Sequence, residues 1–473
     1  MVGVDHLDSA DALHIDAYTL TEYVPAKPLE SNLEIVFSNT EQTSITPQHN
    51  PCGQLNCGSA LKFPFARADY APVAVLITDA QELVAADAST STKRVVELTL
   101  NTASLGALDY DPGDTVAILP NNSPQTVALI LQRLNLTQQA DSSCHVSLAL
   151  NCAKKSAKVP VHIPSPTTPR EILTYCVSVR SVLQKQFLSA LASCTSDLKE
   201  CSFLASLSSK QGSVHYQTLI LERGLCLLDL LELCSSCQPT LALLVEHLPR
   251  LLPRPYSIAN SPLEGSDQLR IIYSIRADKP GVTTSMLETM VGQHQEQKKP
   301  VQLYIYPRLQ NTFRYTDEEL GSNQILIAVG TGLAPFLGFL AHKELRRQRS
   351  TGQTWLYAGA KTPQAMLKHE QLLDWQKSSI IQRLRLCYSR TSMNDQPKYV
   401  QQLLEQDAEQ LVELLQQPTT VLYVCADGAQ ISKSINESLR CCLQQALNLN
   451  ETEATQHLKE LRAQGKYRED IWL

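Results

Sequence analysis

The stretch ILIAVGTGLAP, residues 325–335, has five apolar residues in a row, then a turn with two glycines, then a proline. Proline is common in the first turn of a helix, so the stretch predicts a strand, a tight turn and a helix. Three more apolar runs of strand length follow, each succeeded by a helical pattern, at residues 354–358, 384–388 and 420–425. This alternation predicts a parallel sheet covered by helices, with its ligand at the carboxyl ends of the strands.

The segments 73–122 and 250–318 show a different pattern, in which strand-like runs are separated by turns. The runs are residues 73–77, 94–100, 115–119, 269–275 and 301–306, and a Pro112-Gly113-Asp114 turn precedes the third. Short strands bounded by turn residues are typical of an antiparallel barrel or sandwich.

The two strand-rich segments are separated by residues 123–249, in which apolar residues recur at helical spacing at 126–134, 179–191 and 225–233. This predicts an all-helical domain inserted into the β domain. Residues 1–72 are polar and interrupted by prolines, which predicts a partly disordered leader or linker. The expected fold class is α+β and multidomain, with an antiparallel barrel at 73–122 and 250–318, the helical insertion, and an α/β domain at 319–473.

Length and composition limit the classes of function. A chain of 473 residues exceeds what one hydrophobic core usually serves. A net charge of -6 argues against nucleic acid as the partner. No apolar run is long enough to span a membrane and the first residues do not form a signal peptide, so we expect a soluble, cytoplasmic protein. The fourteen cysteines are scattered, which favours reduced thiols, and no metal site is predicted.

Polar and glycine residues cluster where the predicted parallel strands end. In Gly330-Thr331-Gly332 the glycines would let the backbone approach a pyrophosphate at a helix N-terminus, although such turns are as often ordinary loops. Ser389-Arg390 ends the third strand, and Lys398-Tyr399-Val400-Gln401 opens the next helix. Their cations could hold an adenosine 2′-phosphate, which would select NADPH over NADH, or they could be solvated surface charges.

Three further motifs suit a redox cofactor. Cys425 and Asp427 end the fourth strand near the expected nicotinamide, although a buried structural cysteine is the simpler interpretation. Arg254-Pro255-Tyr256-Ser257 offers a cation for a phosphate, a ring for a flavin face and a hydroxyl for its polar edge. Gly281-Val282-Thr283-Thr284 offers backbone N–H groups and hydroxyls for a pyrophosphate.

Taken in order along the chain, these motifs, with Trp472 near the end, resemble those of the diflavin reductases. The stretches 227–257, 187–191 and 209–212 are similar to the methionine synthase reductase group within that family. The resemblance covers about residues 73–473. It implies a ferredoxin-NADP reductase-like pair of domains, an antiparallel flavin barrel and an α/β nicotinamide domain, with a helical connecting domain inserted in the barrel.

The resemblance also implies roles for individual residues. FAD would be held by Arg254, Pro255, Tyr256, Ser257, Gly281, Val282, Thr283, Thr284 and Trp472, and NADPH by Thr331, Ser389, Arg390, Lys398, Tyr399, Val400, Gln401 and Asp427. The catalytic set would be Ser257, Cys425, Asp470 and Trp472, with Trp472 stacked on the flavin ring and moving aside for the nicotinamide. The sequence departs from the family at Ala426, where glycine is usual, and at Ala429, where a cation is frequent, which could weaken NADPH binding.

The implied function is electron transfer from NADPH through FAD to a separate acceptor protein. The acceptor would be a flavodoxin-like protein or methionine synthase, whose cob(II)alamin form such reductases reactivate in methionine biosynthesis. The segment of about 72 residues before the barrel is too short for the family's flavodoxin domain, so FMN binding is not predicted. An alternative is a non-catalytic chaperone or binding partner that keeps a reductase-like fold and stabilises a client enzyme.

Overall fold

The computed structural model describes residues 13–24, 31–38, 72–103, 108–152, 156–276, 281–308, 312–391 and 396–472. Its strands are β1 (Leu33–Phe37), β2 (Val73–Val84), β3 (Arg94–Asn101), β4 (Thr115–Ile118), β5 (Cys144–Leu148), β6 (Arg254–Ser257), β7 (Gln268–Ile275), β8 (Val301–Arg308), β9 (Gln324–Val329), β10 (Thr354–Ala360), β11 (Arg383–Tyr388), β12 (Val421–Asp427) and β13 (Tyr467–Trp472).

Its helices are α1 (Pro124–Arg133), α2 (Pro169–Glu171), α3 (Lys185–Ser193), α4 (Leu198–Ser208), α5 (Ser213–Tyr216), α6 (Leu227–Leu233), α7 (Leu241–His247), α8 (Val282–Gln297), α9 (Ala334–Leu345), α10 (His369–Lys377), α11 (Val400–Gln406), α12 (Ala408–Gln416), α13 (Ala429–Leu447) and α14 (Glu451–Ala463). By backbone contacts the chain forms two compact units. The first comprises residues 1–69 and 120–252, and the second comprises residues 70–119 and 253–473.

In the second unit, six antiparallel strands form a barrel in the order β6-β4-β8-β2-β3-β7. A bridge between Ile258 and Ile271 joins the two outer strands and closes the sheet. Because side chains alternate along a strand, Ile77, Leu98 and Ile305 face a common core. The predicted antiparallel barrel is confirmed, and β2 and β8 continue beyond the runs predicted for them.

The same unit contains a five-stranded parallel sheet in the order β11-β10-β9-β12-β13. From the central β9 the chain moves outward to β10 and β11, then crosses back to β12 on the other side. Helices pack on both faces, α9 and α10 on one and α11 to α14 on the other. The predicted α/β domain is confirmed. The strand order reverses between β9 and β12, and sheets of this kind bind ligands outside the carboxyl ends of the strands at such a reversal.

The first unit contains α1 to α7 around a core that includes Phe187, Leu204 and Leu230. The predicted helical insertion is confirmed, but two of its segments are not helical. Strand β5 lies within it, and residues 179–184 form a loop before α3. Val179 and Leu183 of this loop are buried although they do not belong to a helix.

Part of the predicted leader is ordered structure within the first unit. Strand β1 pairs with β5 in antiparallel register, and Leu33 is buried in the helical core. The carboxylate of Glu246 accepts a hydrogen bond of 2.8 Å from the main-chain N–H of Asn32. Burial of its apolar side chains and pairing with β5 make β1 an ordered strand, although the neighbouring sequence is polar. Residues 1–12, 25–30 and 39–71 of the predicted leader lie outside the described residues.

The described helices differ from membrane-spanning segments in length and polarity. The 19-residue α13 contains Lys433, Glu437 and Arg440. Within the described residues, no helix is both long enough and apolar enough to cross a bilayer. The cytoplasmic location stays a prediction.

Candidate active site

Two of the predicted catalytic residues meet in the second unit. Ser257 ends β6, where it pairs with Thr115 of β4 and is 5% exposed. Asp470 lies on β13, at the far edge of the parallel sheet. The Ser257 hydroxyl donates a hydrogen bond of 3.1 Å to Asp470 Oδ2, across 213 positions of sequence. A barrel strand and the last strand of the sheet therefore share a polar contact.

Cys425 lies beside this pair. Strands β12 and β13 are parallel with Cys425 opposite Asp470, and β12 and β9 are parallel with Cys425 opposite Ala328. Residues in register on neighbouring strands point to the same face of a sheet. Cys425 is fully buried, so water has little access to its thiol. The structure thus groups Ser257, Cys425 and Asp470, and their catalytic roles stay predictions.

The glycine turn after β9 packs directly on β12. Its residues form a single 3-10 turn, Gly330–Leu333, that leads into α9. A Cβ atom on Gly332 would lie 2.1 Å from the carbonyl oxygen of Cys425, whereas one on Gly330 would meet nothing within 4 Å. Gly330 has φ +59°, in the left-handed region that favours glycine. Close contact on one side and open space on the other suit a turn that receives a ligand.

Backbone N–H groups are available at two helix starts. Among the described residues, no side chain caps the Gly330–Leu333 turn, the start of α9 or the start of α8. Uncapped N–H groups at a helix N-terminus favour an anion such as a pyrophosphate. The half-buried Thr331 lies in the first of these turns. Both starts therefore fit the phosphates of the two predicted cofactors.

The start of α8 brings together the four residues predicted to hold the FAD pyrophosphate. Gly281 is exposed and precedes the 16-residue helix, and Val282 is half-buried. The Thr284 hydroxyl donates to the carbonyl of Gly281 at 3.1 Å. Thr283 is 5% exposed, so its side chain packs inward.

The Arg254 to Ser257 motif forms β6, with each residue in a different environment. Arg254 is exposed, Pro255 and Tyr256 are half-buried, and Ser257 is buried. The Tyr256 ring meets the ring of Tyr273 edge to face, with centroids 6.5 Å apart. Burial raises the pKa of Tyr256 to about 12, so its hydroxyl stays protonated near neutral pH. The strand offers an exposed cation, a fixed ring and a buried hydroxyl.

The predicted cation site at the ends of β10 and β11 contains residues that the sequence interpretation missed. The N–H of Arg390 donates to the carbonyl of Lys361 at 2.8 Å, and the Lys361 ammonium donates to the carbonyl of Ser91 in the barrel. The pKa of Lys361 is lowered, first by burial and then by the positive charges of Lys93 and Arg390. The sequence could have indicated Lys361, because it directly follows β10 in the same way that Ser389 and Arg390 directly follow β11.

The segment that opens α11 is partly available to a ligand. Tyr399 is 57% exposed, and Lys398 and Gln401 are half-buried. The side-chain oxygen of Gln402 accepts from the N–H groups of Lys398 and Tyr399, at 2.7 and 3.2 Å. Val400 is 2% exposed and its side chain packs in the core, so its contact with NADPH stays a prediction.

Two predicted residues are described only by their backbone. Asp427 and Trp472 lie opposite each other in the parallel register of β12 and β13. Their side chains lie outside the described part of the chain, so the stacking of Trp472 and the ligand contact of Asp427 stay predictions. Ala426, one of the two departures from the family pattern, is fully buried.

Comparisons with known proteins match both halves of this site. A family model for an FAD binding domain matches residues 66–284, and one for an oxidoreductase NAD-binding domain matches residues 326–431. Methionine synthase reductase of Mus musculus is 31% identical over 95% of this chain and 65% of its own length, and that of Homo sapiens is 32% identical over 84% and 60%. NADPH–cytochrome P450 reductase of Drosophila melanogaster is 31% identical over 77% and 53%. The chain therefore spans less than two thirds of the length of each of these relatives.

Proposed function

Because this chain belongs to the diflavin reductase family, we propose that it is an NADPH-dependent FAD flavoprotein that passes electrons to an acceptor protein. The observation that carries the proposal is the 3.1 Å hydrogen bond between Ser257 and Asp470. It links the FAD-binding barrel to the NAD-binding sheet beside Cys425, where the two cofactors would meet.

Each group of residues has a physical task in this proposal. FAD, when bound, accepts a hydride from NADPH and releases electrons to the acceptor. The uncapped N–H groups of α8 and of the Gly330–Leu333 turn hold the two pyrophosphates. Ser257, Cys425 and Asp470 orient the reacting rings and provide a polar, water-poor surrounding, without covalent chemistry. Burial of Ser257 and Cys425 keeps bulk water away from the reacting atoms.

The acceptor is the less defined part of the proposal. The relatives include reductases named for methionine synthase and for cytochrome P450. The methionine synthase reductases match 95% and 84% of this chain, whereas the cytochrome P450 reductase matches 77%. This difference favours reactivation of methionine synthase, directly or through a flavodoxin-like protein. NADPH-dependent reduction of each candidate acceptor, added separately, distinguishes these routes, and a cytochrome P450 serves as the comparison.

The first experiment is extraction and identification of flavin from the purified chain, followed by an assay of ferricyanide reduction with NADPH. We expect bound FAD and NADPH-dependent reduction of ferricyanide. Protein that holds FAD yet reduces no ferricyanide would contradict the proposed activity. Protein without flavin, and unable to bind added FAD, would favour a non-catalytic binding partner instead.

Selectivity for NADPH gives a further prediction. The Arg390→Ala variant should bind NADPH about 10- to 100-fold more weakly, because a charged hydrogen bond contributes roughly 1.5 to 3 kcal/mol. Lys361→Ala should have an effect in the same direction, since the ammonium group of Lys361 lies close enough to Arg390 for the two positive charges to interact. NADH lacks the 2′-phosphate, so its affinity should change little. Calorimetric titration with both cofactors measures the difference.

Arg349→Ala is the matched control for Arg390→Ala, because Arg349 is exposed and pairs with Asp317 away from the ends of β10 and β11. Its affinity for NADPH should equal that of the parent chain. Equal losses of NADPH and NADH affinity in Arg390→Ala would refute the assignment of a 2′-phosphate site.

A further inference from the structure

Arg468 lies two residues before Asp470 and ties β13 to neighbouring segments. Its Nη1 atom is 2.6 Å from Glu319 Oε1 and 3.0 Å from the main-chain carbonyl oxygen of Arg314. The same nitrogen is 3.0 Å from the hydroxyl of Tyr423, and the guanidinium lies 5.3 Å from the centre of that ring. Because side chains alternate along a strand, Arg468 and Asp470 are on the same face of β13.

Arg314 continues the connection into the barrel. Its Nη2 atom is 2.9 Å from the Asp111 carboxylate and 3.1 Å from that of Asp114, whose side chain is fully buried. The main-chain carbonyl of Asp114 accepts a hydrogen bond of 2.9 Å from the N–H of Ile258. Ile258 is the neighbour of Ser257, so the connection ends one residue from the catalytic hydroxyl.

The turn that contains Asp114 is packed firmly against the segment that contains Arg314. Gly113 has φ +93°, and a Cβ atom there would lie 2.2 Å from the carbonyl oxygen of Phe313. The N–H of Tyr315 donates to the carbonyl of Pro112 at 2.9 Å. Backbone contacts on both sides of Arg314 therefore leave little room for the two segments to slide.

We infer that Arg468 is a positioning residue that sets the separation of Ser257 and Asp470 for hydride transfer, an inference that rests on the proposed function. The ion pairs of Arg468 and Arg314 and the hydrogen bond between Ser257 and Asp470 connect β13 with β6 by two separate routes. β13 is an edge strand, bonded within its sheet to β12 alone among the described strands. The contacts of Arg468 supply the lateral restraint that an edge strand otherwise lacks.

Hydrogen exchange tests the restraint without depending on activity. In FAD-loaded Arg468→Gln, the amides of residues 467–472 should exchange about tenfold faster than in the parent chain, because local opening of β13 becomes easier. Arg468→Lys should be intermediate, since an ammonium can still reach Glu319. Arg440→Gln, which removes the ion pairs of Arg440 with Glu437 and Glu451, is the control and should leave the exchange of β13 unchanged. Parent-like exchange in Arg468→Gln would overturn the inference.

Rapid-mixing kinetics test the consequence for the reaction. In Arg468→Gln, NADPH should reduce the flavin about 10- to 100-fold more slowly than in the parent chain. The KM for NADPH should stay within about twofold of the parent value. The isotope effect with NADPH deuterated at the transferred position should be larger than in the parent chain. Combining it with Asp470→Asn should slow the reaction no further than Asp470→Asn alone. Additive slowing would show that Arg468 does not act through Asp470.

The two experiments separate the inference from the function on which it rests. If the parent chain binds FAD but NADPH does not reduce it, the proposed function fails, while the exchange result still decides whether Arg468 restrains β13. If Arg468→Gln does not fold, Arg468→Lys carries the same test, with faster exchange and slower flavin reduction than the parent expected.

Discussion

Flavin reduction by NADPH is expected to be about 100-fold slower in Asp470→Asn than in the parent chain. The carboxylate accepts the hydrogen bond of Ser257 and is the charged member of the pair. Asparagine keeps the shape and can still accept that bond, so the variant isolates the contribution of the negative charge. Loss of one preorganised electrostatic contact at a reacting centre typically costs roughly 10² to 10³ in rate, about the size expected here.

Stopped-flow measurement of the flavin absorbance under anaerobic conditions gives this rate directly. Ser257→Ala should be slowed in the same direction, and the double variant should be slowed by less than the product of the two effects, because the side chains act as a unit. Asp374→Asn replaces an exposed carboxylate on α10 and should leave the rate unchanged. An Asp470→Asn variant as fast as this control would remove Asp470 from the catalytic set.

Gly332→Ala is expected to damage both stability and NADPH binding. Its new methyl group would lie 2.1 Å from the carbonyl oxygen of Cys425 and 2.6 Å from the carbonyl carbon, and neither main-chain atom can rotate away. The turn must therefore lift off β12. Overpacking of a tight contact costs roughly 1–3 kcal/mol, and displacement of the turn also moves the N–H groups proposed to hold the pyrophosphate.

Gly292→Ala is the matched control, since it makes the same chemical change in the interior of α8, where a Cβ meets nothing within 4 Å. Alanine is favoured over glycine in helices by about 0.5–1 kcal/mol, so this variant should be slightly stabilised. Urea unfolding of both variants, together with NADPH titration, measures the contrast. Parent-like stability and affinity in Gly332→Ala would show that the turn is not packed on β12 as described.

The sequence predicted the architecture of the second unit well because its strands are apolar and regularly spaced. β13 was missed, since Tyr467, Arg468, Glu469 and Asp470 form a polar run with no strand-like pattern. Edge strands commonly carry charges, and pairing of β13 with β12 depends on tertiary contacts that no local pattern records. β1 was placed in a linker for a different reason, since its five-residue, largely apolar run stands between polar, proline-containing segments, although Leu33 is buried in the helical core.

The candidate site was predictable in part. Gly330 to Gly332 and Arg390 follow predicted strands, and parallel strands end at a common edge, so their grouping follows from the fold class. The contact between Ser257 and Asp470 does not follow from the fold class. The two residues lie in different sheets, 213 positions apart in sequence, and only the three-dimensional fold brings them together. Their expected roles came from resemblance, and the restraint by Arg468 had no counterpart in any motif.

Strands β4 and β6 pair directly, with Ile118 opposite Arg254, although residues 120–252 lie between them in sequence. During synthesis, β4 therefore cannot pair with β6 until residues 120–252 have been synthesised and have left the ribosome. Pairing of such distant segments is slow, and an unpaired strand edge invites association with other chains. The yield of folded protein should therefore rise with added chaperones and with a lower expression temperature, even if the folded protein is stable at equilibrium.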